Sequence, residues 1–348
     1  MKKSLIALAV LAASGAAMAQ SSVTLFGIID TNVGYVDNTN AAGDSKYGIG
    51  TSGNATSRLG FRGVEDLGGG LKAGFWLEGE IFGDNGNASG FNFQRESTVR
   101  LSGNFGELRL GRELVPSYRK VSSYDVFGQV GIGMFQGWSN WANATTADAN
   151  GYRQSNIVSY YTPNFSGFTA GAGYGFDEQA TGKNGRYAGA FGAYDNGPLS
   201  VALSFDRRNV SGGLLTGAAT KDNLTVGGSY DLSVVKLNAL LQQVKYKDTT
   251  GSGKVNSYAL GLTAPVGAGQ VKAQYVMYDQ KAIDSKAHQF ALGYVHNLSK
   301  RTALYGTVAY LKNKDASNMA LQAKQVSTTG PGAGENQTGV QLGIRHSF

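Results

Sequence analysis

Apolar and polar residues alternate one by one in short runs along nearly the whole chain. Leu199, Val201, Leu203 and Phe205 share one face, with Ser200, Ala202, Ser204 and Asp206 on the other. Val235, Leu237, Ala239 and Leu241 oppose Lys236, Asn238 and Gln242, and Phe290, Leu292 and Tyr294 oppose Gln289, Ala291 and Gly293. The final run sets Val340, Leu342, Ile344 and Phe348 against Gln341, Gly343, Arg345 and Ser347, and a weaker one begins at Val23. A period of two predicts strands whose faces meet different surroundings. Many such segments of about ten residues are the signature of a transmembrane barrel, although each alone is a weak signal.

The links between runs alternate in length. Tight ones fall near 65–70, 104–106, 162–167, 195–198, 231–234, 265–269 and 297–301. Longer polar ones fall near 37–55, 83–93, 113–153, 177–185, 209–221, 247–254, 280–286 and 313–336. Tight turns join antiparallel strands, so the chain is expected to be all-β: a 16-stranded antiparallel transmembrane β-barrel with short periplasmic turns and long external loops. Closure pairs every backbone group that lipid would leave unsatisfied, and sixteen strands leave a water-filled lumen. A soluble sandwich would explain neither the alternation of links nor the leader.

That leader is MKKSLIALAVLAASGAAMA, with Lys2 and Lys3, an apolar run and an Ala17-Met18-Ala19 cleavage site. It reads as a secretory signal peptide over 1–19, leaving 20–348 as the barrel. No later apolar stretch has the ~18 residues of a transmembrane helix, so insertion must be by strands.

Composition narrows the function. There are 51 Gly and 5 Pro in 348 residues, about twice the usual ~7% share of Gly, which suits sheets and turns. With no Cys, disulfides, thiolate metal sites and Cys nucleophiles are excluded. The formal charge of +7 falls to +5 without Lys2 and Lys3. Lys and Arg are scattered along the chain and lack the clustering of a nucleic-acid reader, so no nucleic-acid partner is expected. His288, His296 and His346 have no recognisable nucleophile or metal partner nearby in sequence. The GSGK fragment at 251–254 lacks phosphate-loop spacing. Neither an enzyme nor a cofactor is expected.

Parity assigns the lumen. With Leu59 and Phe61 toward lipid, Arg58 and Arg62 face water; Leu71, Ala73, Phe75 and Leu77 outward turn Lys72, Glu78 and Glu80 inward; Val99 and Leu101 outward place Glu96, Thr98 and Arg100 inside. Arg or Lys on the lipid side at mid-depth would cost ~2–4 kcal/mol. Aromatics near strand ends, among them Tyr35, Trp76, Tyr161 and Phe168, are candidates for interfacial girdles. The long link 113–153 carries Arg119, Lys120, Asp125, Asp148 and Arg153 around an apolar centre, 126–141. Loops this long are usually functional. Phe127, Ile132, Met134, Phe135, Trp138 and Trp141 need a surface, and folding back against the inner wall would both meet that need and narrow the pore.

QSSVTLFGIIDTNVGYV, SRLGFRGVEDLGGGLKAGFWLEGE, RLSGNFGELRLGRE, YYTPNFSGF and the terminal Phe348 resemble the general porins of betaproteobacteria, and most of all the anion-selective porins of the Comamonas group. The resemblance implies a homotrimer in outer-membrane lipid and lipopolysaccharide, with the third external loop in each lumen and small anions among the permeant solutes. It also implies an arginine cluster at the constriction, on Arg58 in TSRLG, Arg95 in FNFQRES and Arg153 in NGYRQSN. Arg62 and Arg100 extend it, opposed by acids such as Glu78, Glu80 and Asp125. Parity from Val99 would put Arg95 outward, so a bulge or strand end must re-aim it. Phe348 resembles the signal read by the assembly machinery. A substrate-specific anion channel and a non-conducting structural barrel are the competing readings.

Overall fold

A computed structural model describes residues 22–86, 92–138, 152–211, 218–322 and 330–348. The leader, Trp141 and Asp148 lie outside the described residues. Sixteen strands form one closed antiparallel barrel. In chain order they are β1 (Ser22–Val36), β2 in two halves (Lys46–Thr51 and Arg58–Gly68), β3 (Leu71–Glu80), β4 (Glu96–Gly103) and β5 (Gly106–Leu114). After the long loop come β6 (Arg153–Tyr161), β7 (Phe168–Gly175), β8 (Tyr187–Asn196), β9 (Leu199–Ser211), β10 (Ala218–Asp231) and β11 (Lys236–Lys247). The last are β12 (Ser252–Val266), β13 (Gly269–Gln280), β14 (Ser285–Asn297), β15 (Thr302–Asp315) and β16 (Gln337–Ser347).

Each strand pairs with its sequence neighbours, and β1 closes the ring by pairing with both β2 and β16: Ile28 stands across from Arg58 on one side and Ser347 on the other. Gly27 and Phe348 exchange both backbone hydrogen bonds at 3.0 Å, which seals the seam at the chain's end. Between the halves of β2, residues 52–57 leave the sheet. Their amides at Gly53, Asn54 and Ala55 donate to the carboxylate of Asp30 at 3.1, 2.9 and 2.7 Å, and Tyr305 Oη donates to it at 2.5 Å.

The alternation of side chains follows the predicted faces. In β9, Leu203 and Phe205 are about half exposed, whereas Ala202, Ser204 and Asp206 are 2–4% exposed. The seven tight turns lie where expected, at one end of the barrel. The first passes through Gly68, Gly69 and Gly70, all at positive φ, a conformation that favours glycine because it has no Cβ. At the other end the lengths differ from expectation. The links after β11 and β13 are 248–251 and 281–284, only as long as the turns 232–235 and 298–301 at the opposite end. Polar, Gly-rich composition marks a connection and is silent about how far the flanking strands continue into it.

The buried core is inside the barrel. Residues 115–138 run along the inner wall, so Val121, Val126, Phe127, Ile132, Phe135 and Trp138 are buried with Tyr187, Leu240, Tyr278 and Leu311. A short helix, α1 (Pro116–Arg119), starts the loop. Glutamines of the wall pin it: Gln274 Oε1 accepts from Val126 N at 3.0 Å, Gln289 Nε2 donates to the carbonyls of Ile132 and Met134 at 3.1 Å, and Gln341 Oε1 accepts from Ile132 N at 3.2 Å. Missing wall side chains make the room. A Cβ on Gly227 would fall 2.3 Å from Tyr124, and one on Gly261 2.4 Å from Val126.

Candidate functional site

The loop's apolar part is held on β10 to β16, while the predicted arginines stand on β2 to β6. Cross-strand register puts Arg58 opposite Glu80, Arg62 opposite Trp76 and Glu78 opposite Glu96, so these side chains share the inner face. Arg95 precedes the first residue of β4. Its amide donates to the carbonyl of Glu78 at 3.1 Å, and its Nε lies 2.6 Å from Glu78 Oε1. The strand therefore begins one residue after it, and the side chain turns inward against simple parity.

Arg153 opens β6, and its Nε donates to the carbonyl of Arg95 at 2.9 Å. Arg58 is within electrostatic reach of both Glu78 and Arg95, as Arg153 is of the same two. Arg95 thus pairs directly with Glu78, and Arg58 and Arg153 stand around that pair. Aromatic contacts tie Arg153 to the loop: its guanidinium lies 5.1 Å from the Tyr152 ring, which stacks on Tyr118 at 4.9 Å, which meets Trp138 edge-on at 5.0 Å.

The other candidates are held differently. Arg62 lies 5.5 Å from the ring of Phe26 and 5.4 Å from that of Trp76, and Arg100 lies 5.0 Å from Trp76 on its other side. Trp76 therefore supports lumen guanidinium groups and is no part of an interfacial girdle, and Tyr161 likewise lies 4.4 Å under Arg109. Arg100 is bound to Glu96 and lies 3.6 Å from Glu107, so its charge is balanced locally.

Asp125 does not face the arginines. Its carboxylate accepts from Gln129 N at 2.6 Å, Gln129 Nε2 at 2.8 Å and Gln274 Nε2 at 2.9 Å, fixing the loop's turn to β13. Burial pushes its carboxyl above the ordinary carboxylate range, against those hydrogen bonds. A charged residue on a loop that must turn is as well placed to cap its own backbone as to line a pore, and this one caps.

A second ionic chain escaped the sequence reading. Arg109 pairs with Glu107 at 3.0 Å and Glu113 at 2.9 Å, and Arg119 of α1 pairs with Glu113 at 2.9 Å and Glu96 at 3.5 Å. The signal was present, because Leu108 and Leu110 outward place Glu107 and Arg109 inward. Beyond it, Arg112, Arg153 and Arg208 line a cavity of about 390 Å³ at the loop ends of β5, β6 and β9. Among the described residues no cluster of ligating side chains suits a metal ion. His288, His296 and His346 each hydrogen-bond one hydroxyl, of Tyr275, Tyr294 and Thr302.

Comparison with known proteins gives this geometry a family. Outer membrane porin protein 32 of Delftia acidovorans is 67% identical over the whole of both chains. An outer membrane porin protein of Bordetella pertussis is 36% identical, again over both chains in full. Among solved structures, the anion-selective porin from Comamonas acidovorans superposes with a TM-score of 0.90 at 64% identity, covering 94% of this chain and all of that one. The porin OmpF of Salmonella typhi, at 18% identity and a TM-score of 0.66 over 94% of this chain and 98% of that one, shares the fold. The family model described as Gram-negative porin matches residues 5–316, and the chain belongs to that family of outer-membrane porins.

Proposed function

We propose that this porin passes small hydrophilic solutes by diffusion and favours anions, with Arg58, Arg95 and Arg153 as the filter. The gathering of these three around the Arg95–Glu78 pair carries the reading. Fixed positive charge in a narrow, low-dielectric passage raises the local concentration of anions and repels cations. Arginine suits the task because it stays charged at any working pH and presents planar donors to carboxylate or phosphate. Arg62 and Arg100 play a lesser part, the latter because Glu96 and Glu107 offset it. The anion-selective character of the Comamonas porin supports the assignment. The test is Arg58→Gln, Arg95→Gln and Arg153→Gln together in a planar bilayer: the zero-current potential should move toward cation preference, and an unchanged potential removes these residues from the mechanism.

The cavity between Arg112, Arg153 and Arg208 favours a second reading, in which one class of anion binds on its way in. Flux that saturates with one anion and not with others would establish it.

The remaining assignments follow from family resemblance and, for the leader, from its lysines, apolar run and cleavage site. The barrel works as a homotrimer, read by light scattering in detergent. Residues 1–19 are a cleaved leader, so the mature chain should begin at Gln20. Phe348 serves assembly as well as the seam, so its deletion should lower the amount inserted in the outer membrane more than the conductance of each pore. Lipid and lipopolysaccharide surround the barrel.

A further inference from the structure

Strand β2 carries more chain than its place in the barrel needs. Against β1 its pairing passes from Thr51 opposite Thr31 to Arg58 opposite Ile28, so three steps along β1 are matched by seven along β2. Four residues are therefore surplus. An odd surplus would swap the inward and outward residues in the rest of the strand, whereas four leave the alternation intact. Arg58 accordingly keeps the inward place that parity gives it, and the sheet gains no pairing from the extra chain. Ordering backbone costs conformational entropy, so the surplus calls for a use outside the sheet.

That chain goes into the lumen. Asp30, buried on the inner face of β1, holds 52–57 from end to end: its carbonyl accepts from Ser52 N at 2.9 Å, its carboxylate accepts from the amides of Gly53, Asn54 and Ala55, and its own amide donates to Ser57 Oγ at 2.9 Å. Tyr305, inward on β15, adds its hydroxyl to the same carboxylate. Beyond these anchors the excursion meets the tip of the long loop. Gly131 stands at positive φ, and a Cβ there would fall 2.2 Å from the carbonyl oxygen of Gly53; a Cβ on Gly53 would fall 2.4 Å from Tyr305 Oη. Neither glycine has room for a side chain. Asn54, Ala55 and Thr56 stay partly exposed.

We propose that residues 52–57 are a second constricting element, which narrows the pore from the side of β1 and β2 and stops the tip of the long loop at Gly131. Asp30 is its positioning residue. Size exclusion then belongs to two segments, one on each side of the contact between Gly53 and Gly131. The inference rests on the reading of the barrel as a water-filled diffusion pore and is independent of the pore's ion preference.

The register supplies the test. Deleting 53–56 lets Ser52 pair with Asp30 and Ser57 with Ile29 while Arg58 stays opposite Ile28, and Asp30→Asn is made with it so that no carboxylate is left bare. The rest of the chain is kept, and closure of the barrel is read by its heat-shifted migration in gels. Uncharged sugars are the probe, because their flux reads width and ignores fixed charge. In liposome swelling the flux of a trisaccharide relative to a pentose should rise several-fold, and single-channel conductance should rise with it. Asp30→Ala, which loosens the excursion and deletes nothing, should raise the ratio less and add noise to the open current. Asp30→Asn alone keeps one accepting oxygen and should restore most of the unmutated behaviour. An unmoved sugar ratio in the deletion variant with its barrel closed would overturn the proposal. If that barrel does not close, Asp30→Ala decides, and an unmoved ratio there overturns it. An unmutated protein that passes neither sugar would overturn the pore itself and this inference with it.

Discussion

Nε of Arg95 lies 2.6 Å from Oε1 of Glu78 inside the barrel, with the two side chains 12% and 10% exposed. The acid holds the arginine in position and cancels part of its field. In the proposed filter, positioning and selectivity therefore pull against each other at this pair.

Replacing Glu78 with Gln keeps a hydrogen-bond acceptor for Arg95 and removes the opposing charge. The zero-current potential across a potassium chloride gradient should then shift further in the chloride direction. A shift toward potassium would mean that Glu78 acts only by holding Arg95 in place.

Arg58 and Arg100 are both inward, but Arg100 has Glu96 and Glu107 beside it. Arg58→Gln should change the permeability ratio several times more than Arg100→Gln. Equal effects would show that position along the lumen matters more than local charge balance.

The loop lies against a wall cleared by glycine. Gly261→Val would drive a side chain into Val126, for which the Cβ alone falls 2.4 Å from Cγ2. Overpacking of this kind costs about 1–3 kcal/mol. The cost should appear as a loop displaced from the wall, with lower or noisier single-channel current, while the barrel still resists unfolding in cold detergent. Unchanged current would mean that the wall yields rather than the loop.

Screening should weaken the filter. The Debye length falls from about 10 Å at 0.1 M salt to about 3 Å at 1 M, so the chloride preference should shrink over that range. It should also stay flat between about pH 6 and pH 9, because arginine does not titrate there. Permeability ratios measured at both salt levels and both pH values check this. Selectivity that survives 1 M salt undiminished would point to size exclusion.

The barrel was legible because lipid and water impose a period of two on every strand. The inward places of Arg58, Arg62, Glu78, Glu80 and Arg100 followed from the same rule. Parity runs out where a strand ends: Arg95 turns inward because pairing begins at Glu96, and a list of residues does not show where pairing begins. Asp125 was misplaced for a related reason, since the fold of a loop decides whether a carboxylate meets the lumen or its own backbone. The link lengths at 248–251 and 281–284 were overestimated because turn-forming residues persist into strands at the barrel's rim. The network of Arg109, Glu113 and Arg119 joins β5 to α1 across a change of direction that no periodicity crosses.

The most direct measurement is the zero-current potential of the unmutated protein in a planar bilayer across a potassium chloride gradient at about 0.1 M mean concentration, where screening is still modest. Arg58, Arg95 and Arg153 as the filter predict the sign of chloride preference, reduced on neutralising all three. A potassium-preferring sign would contradict the account and give control of the constriction to Glu78 and Glu80.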